Sequence, residues 1–154
     1  MRFTLIDHVV EQCPDRVIAR KHVSLAEEYL ADHFPTFPVL PGVLMVETMV
    51  QAARLMLASR SNVRLVLGEV KAFKFAGMVR PGEALEVEVS LAGANDDGSF
   101  LCKGTGTVLR FPSGPESESA RGETACSGRF TMRPTRTFES GTRTFEPSGP
   151  ASDL

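Results

Sequence analysis

Long apolar runs, surplus charge, metal-ligand clusters and paired cysteines are all missing from this chain, and each absence removes a class of function. No apolar stretch approaches the roughly 20 residues needed to span a bilayer, and the N-terminus lacks a charged-then-apolar leader pattern. A net charge of −2 gives no whole-protein attraction to nucleic acid or membrane, so any electrostatic partner must be met by a local patch. Cys13, Cys102 and Cys126 are odd in number, far apart and without CxxC spacing. They read as reduced, partly buried thiols of a cytoplasmic protein. His8, His22 and His33 form no metal cluster either. The expectation is a soluble, cytoplasmic protein without metal, nucleic-acid partner or membrane partner.

What is present fits one ordinary domain. The 154 residues are 42% hydrophobic and 23% charged, enough to bury a real core. Residues 3–10 are apolar at both strand and helix spacings, which leaves their type open. Pro14-Asp15 marks a turn, the stretch from Arg16 to Ser24 alternates like a strand, and residues 25–32 suit a short helix. Pro35, Pro38 and Pro41 exclude regular structure from the next segment and stiffen it. From Gly42 to about Ser59 length and composition predict a helix that is apolar nearly all round, hence buried. Its polar exceptions, Glu47, Gln51 and Arg54, share one face at i, i+4 and i+7.

Four strands are expected downstream. The first covers 63–75, with Gly68 as an irregularity, and is followed by a turn at Arg80-Pro81-Gly82-Glu83. Residues 85–91 alternate strictly, predicting one buried and one wet face, before a hairpin turn at Asn95-Asp96-Asp97-Gly98. Residues 100–111 form the return strand, 113–121 a polar loop, and 123–132 the last strand. The segment Thr135-Arg136-Thr137-Phe138-Glu139 recurs at 142–146 among Ser, Gly and Pro. The expectation there is a flexible tail over 134–154, outside a single domain at 1–133. Strand, loop, one long buried helix, then an antiparallel meander of four strands is an α+β order. So small a sheet cannot cover the helix on all sides, and dimerisation would complete the cover.

The densest chemistry lies between Asp32 and Ala53. A histidine sits in a proline-pinned loop, and fourteen residues later a glutamate sits in an apolar helix. A carboxylate buried there costs several kcal/mol unless paired or neutralised, so Glu47 is either part of a thin solvated stripe or a paired functional group. The run His33-Phe34-Pro35, Pro38-Val39-Leu40-Pro41-Gly42-Val43-Leu44, then Glu47, Gln51 and Ala52-Ala53 resembles the hotdog-fold 3-hydroxyacyl-(acyl-carrier-protein) dehydratases of type II fatty-acid synthesis. The segments Val70-Lys71-Ala72-Phe73-Lys74-Phe75 and Val79-Arg80-Pro81-Gly82-Glu83 are similar to that family too, and the likeness spans roughly residues 3–132.

The resemblance implies a hotdog fold: a long central helix wrapped by a curled antiparallel sheet. It implies dehydration of (3R)-hydroxyacyl thioesters, held on the 4′-phosphopantetheine of acyl carrier protein, to trans-2-enoyl thioesters. His33 and Glu47 of opposite protomers would be the catalytic pair, in a homodimer or a trimer of dimers. The Gly42 N–H would bind the thioester carbonyl, and Gln51 would support Glu47. Glutamate at 47 is similar to the plain dehydratase branch. Phe34, Pro35, Val43, Phe73 and Phe75 are candidates for the acyl tunnel. Lys71, Lys74, Arg80 and Arg64 are candidates for docking an acidic carrier. No cofactor is implied.

The chemistry suits these residue types. Removing the C2 proton of a thioester loads charge onto the carbonyl oxygen, which helix N-terminal N–H groups are pre-aimed to stabilise. Neutral imidazole is a base of suitable strength, and burial in an apolar tunnel would keep a carboxyl protonated to serve as the acid. The chain departs from the family pattern at Asp32 and Thr36, where glycine is common, and at Phe37, where a polar residue is typical. A positive φ at 32 or 36 would be strained, and the Asp32 carboxylate would raise the basicity of His33. Two other readings keep the fold. One is a hydratase or dehydratase for coenzyme A or polyketide thioesters, the other a non-catalytic acyl-binding or partner subunit.

Overall fold

A computed structural model of the chain describes residues 3–111 and 120–135. Six strands form one antiparallel sheet, and one long helix lies against it. The strands are β1 (His8–Cys13), β2 (Arg16–His22), β3 (Leu65–Phe75), β4 (Ala84–Ala94), β5 (Phe100–Arg110) and β6 (Ala120–Pro134); the helix is α1 (Gly42–Leu57). Their spatial order is β1-β2-β4-β5-β6-β3. This corrects the expected meander: β3 follows the helix in sequence but pairs with β6 at the far edge, leaving β4-β5-β6 as the consecutive run. The α+β architecture, one helix wrapped by one sheet, is as expected.

Other expectations are adjusted locally. The open stretch at 3–10 resolves into an irregular segment leading into β1, joined to β2 by the Pro14-Asp15 turn. The helix expected over 25–32 is a single 3₁₀ turn, Glu28–Leu30. Gly68 marks a bulge between Leu67 and Glu69, and a second lies between Lys71 and Lys74, where Ala72 has φ 48°. Both turns at 80–83 and 95–98 form, with Gly82 at φ 90° and Gly98 at φ 77°. The wet face of β4 is partly closed, because Glu86 is buried against Arg20 at 2.8 Å across the strands. Of the polar loop expected over 113–121, residues 113–119 lie outside the described residues, while Ala120 and Arg121 already belong to β6. Of the duplicated tail segment only Thr135, which bonds the Arg64 carbonyl, is among the described residues.

The core lies between helix and sheet. Met45, Met49, Ala52, Ala53 and Met56 are buried against Val17, Ala19, Val87, Val89, Cys102 and Phe130. Gly104 of β5 lets α1 sit close, since a Cβ there would meet the Met49 sulfur at 2.5 Å. Gly106 makes room for its sheet neighbour, since a Cβ there would meet the Cys126 sulfur at 2.8 Å. The helix is not buried all round within one chain, in keeping with a sheet too small to cover it. Val43 is 73% exposed, Leu55 is exposed, and Leu44 and Val46 are only partly covered. That open side carries Glu47, Gln51 and Arg54.

Candidate active site

His33 is held by its own loop. The ring Nδ1 lies 3.0 Å from the Val39 carbonyl, and the Val39 N–H donates back to the His33 carbonyl at 3.0 Å. A carbonyl can only accept, so Nδ1 carries the proton in the neutral ring and Nε2 presents a lone pair. The prolines make this clasp local, because each fixes its own φ. Phe34 stacks on the imidazole at 4.4 Å between ring centres, and the His33-Phe34 peptide is cis. The loop is tied to the body through the Leu40 N–H to the Val79 carbonyl, 2.8 Å. Asp32 and Thr36 are exposed, and neither takes a positive φ, so the loop forms without the glycines usual in similar sequences.

The loop feeds directly into α1. Pro41, at φ −59°, begins the helix, and its carbonyl accepts the N–H groups of Leu44 and Met45. The N–H groups of Gly42 and Val43 therefore project from the helix start with no acceptor among the described residues. Gly42 is close-packed: a Cβ there would lie 2.8 Å from the Phe75 ring. Phe75 and Val43 are exposed, while Phe73, 5.2 Å from Phe75, is half-buried over Gly128.

Glu47 lies one turn further along. Its Oε1 accepts Gln51 Nε2 at 3.1 Å and Arg54 Nη1 at 3.3 Å. Gln51 is itself bonded to the Leu5 N–H at 2.8 Å and the Phe3 carbonyl at 3.1 Å. Arg54 Nε donates to the Leu65 carbonyl at 3.0 Å. Within one chain the Glu47 side chain is 37% exposed. It faces an open concavity of about 940 Å³ whose lining includes Phe3, Leu44, Gln51, Arg54 and Arg64. None of Phe34, Pro35, Val43, Phe73 or Phe75 lines that concavity, and Pro35 is simply exposed. No hydrogen bond joins His33 to Glu47 among the described residues.

The candidate docking cations are dispersed. Lys71 pairs with Glu69 at 3.0 Å, Arg80 stacks over the Phe37 ring at 4.4 Å, and Lys74 is exposed. Phe37 thus has a role its sequence position did not suggest. Arg54 was legible as sharing a face with Glu47, but its bond to Leu65 depends on where β3 begins. No cluster of metal-ligating side chains occurs among the described residues, and no described helix is long and apolar enough to cross a membrane.

Comparison with known proteins places this geometry. Residues 10–110 match the family model for ApeI-like proteins, described as ApeI dehydratase. The 3-hydroxyacyl-[acyl-carrier-protein] dehydratase FabZ of Latilactobacillus sakei subsp. sakei is 35% identical over 132 residues, covering 83% of this chain and 85% of that protein. The FabZ of Thermotoga petrophila is 41% identical over 92 residues, 59% of this chain. The chain spans 66% of the length of the Thermotoga relative and 63% of that from Pseudothermotoga lettingae. Among solved structures, the dehydratase heterocomplex ApeI:P from Xenorhabdus doucetiae aligns with TM-score 0.59 at 15% identity, over 86% of this chain and 99% of that one. An acyl-CoA hydrolase from Bacillus cereus aligns with TM-score 0.61 at 16% identity, over 80% and 68%. At such identities the structural likeness speaks for the hotdog fold alone.

Proposed function

The chain belongs to the ApeI-like dehydratase family, and on that premise we propose that it removes water from (3R)-hydroxyacyl thioesters on acyl carrier protein, giving trans-2-enoyl thioesters for fatty-acid or related acyl-chain biosynthesis. The observation that carries this reading is the state of His33. With Nδ1–H donating to the Val39 carbonyl, Nε2 of the neutral ring carries the lone pair left to act as base. It takes the C2 proton of the substrate. The charge that builds on the thioester oxygen is met by the Gly42 N–H at the helix start, where the helix dipole adds to the donor. Glu47 gives its proton to the C3 hydroxyl as the C3–O bond breaks and water leaves. Proton exchange with solvent then restores neutral His33 and protonated Glu47.

The pair is completed between two copies of the chain. Supporting this, His33 and Glu47 make separate sets of bonds within one chain, and the helix face between Val43 and Arg54 is left open. A second copy laid on that face would cover Val43, close the concavity at Glu47 and supply His33 to it. Phe34, Val43 and Phe75 would then line an acyl path between the copies, and Lys74 and Arg80 would be the cations offered to an acidic carrier. The test is turnover of 3-hydroxyacyl-carrier thioesters of several chain lengths. His33→Ala and Glu47→Gln should each lower the rate by about 10²–10⁴-fold without changing the oligomeric state. Full activity in both variants would overturn the assignment.

A further inference from the structure

Two donors converge on a single oxygen of Glu47, Gln51 Nε2 at 3.1 Å and Arg54 Nη1 at 3.3 Å, both on Oε1. Oε2 has no partner among the described residues. Both donors are anchored: Gln51 to the backbone of Leu5 and Phe3, Arg54 to the Leu65 carbonyl at the start of β3. The plane of the carboxyl is therefore fixed from two directions. An oxygen that accepts two N–H groups offers its lone pairs to them, so the proton of the neutral acid belongs on the other oxygen.

We propose that Arg54 is a positioning residue for dehydration: together with Gln51 it keeps Glu47 Oε1 as a permanent acceptor, so that Oε2 carries the proton delivered to the substrate. The proposal rests on Glu47 being the acid of the reaction above. In that step the Oε2–H bond breaks and its proton joins the C3 oxygen. The C3–O electron pair leaves with the water formed, and the C2–H pair becomes the new C2–C3 double bond, its proton passing to His33 Nε2. Glu47 ends as a carboxylate already facing a guanidinium, so no side chain must reorganise as the charge appears. Gln51 alone would leave the carboxyl held from one side and free to turn about its last torsion.

Kinetics on the full chain test this, using the 3-hydroxyacyl-carrier thioester that the unaltered protein turns over fastest. Arg54→Ala should lower kcat by roughly 10- to 100-fold, the scale of a misplaced reacting group, with KM changed by less than about twofold. Arg54→Lys should recover part of the loss, and added guanidinium should raise kcat of Arg54→Ala. In a Glu47→Gln background Arg54→Ala should change nothing further, because no acid proton remains to be placed. Unchanged kcat in Arg54→Ala overturns the proposal. An equal loss in both backgrounds, without guanidinium rescue, also overturns it, since that marks a structural role. If Arg54→Ala does not fold, Arg54→Lys and Arg54→Gln in the same two backgrounds decide the matter. Absence of dehydration by the unaltered protein would instead remove the functional reading itself, and is seen before any variant is made.

Discussion

Burial sets the chemistry of the sulfur atoms apart from that of the site. Cys102 lies in β5 under the helix, and burial pushes its thiol up to about 12; Cys126 in β6 is pushed up to about 11, again chiefly by burial. Thiolate is the reactive form, so both should resist a polar thiol reagent in the folded protein, while all three cysteines react after unfolding. Labelling of Cys102 or Cys126 at the rate of an exposed thiol would contradict the packing. The same shifts bear on stability. A thiol whose folded pKa lies above its unfolded value, here 9.0, holds its proton more tightly when folded. This contribution is level below about pH 9 and declines as pH rises toward 11 and 12. Melting temperature measured through that alkaline window should fall less steeply once both cysteines are replaced by alanine. An identical slope in that double variant would show that other groups govern the decline.

At the scale of elements, the close seating of α1 on β5 rests on small residues beneath Met49. Gly104→Ala places a methyl group 2.5 Å from the Met49 sulfur and should destabilise by about 1–3 kcal/mol, read as a lower urea midpoint at constant m. Gly93, in β4 with nothing within 4 Å of a Cβ, is the control and should shift the midpoint little when changed to alanine. Equal effects at the two positions would count against this packing. The helix was legible in sequence because three prolines bracket its start and its apolar run is too long for a strand. The bulge at Gly68 and both turns were legible for the same local reason, since glycine and proline act on their own backbone. The partner of β3 was not, because alternation within a strand specifies its two faces and says nothing of which strand it joins. That α1 is incompletely covered was legible from the small size of the sheet; composition alone did not say which face stays open. At the site, His33, Glu47 and Gln51 stood out as polar exceptions in apolar or proline-rich surroundings. The bond from Arg54 to Leu65 is long-range and had no local signal.

For the whole molecule, the open face of the helix and the division of His33 from Glu47 lead to one conclusion. A hydrophobic residue such as Val43 at 73% exposure, beside the carboxylate proposed as the acid, suits the proposed interface between two copies. Val43→Glu should shift the mass in solution toward the single chain and lower turnover together with it; a fully active, unaltered assembly would place the interface elsewhere. The most direct test of the central claim is complementation. His33→Ala and Glu47→Gln proteins, each nearly inactive, are mixed in equal amounts, allowed to exchange subunits, and assayed for enoyl thioester. If the pair forms across two copies, mixed dimers carry one intact site in two, and random exchange restores about a quarter of the unaltered rate. A mixture that exchanges subunits yet stays as inactive as its components would contradict a site shared between chains.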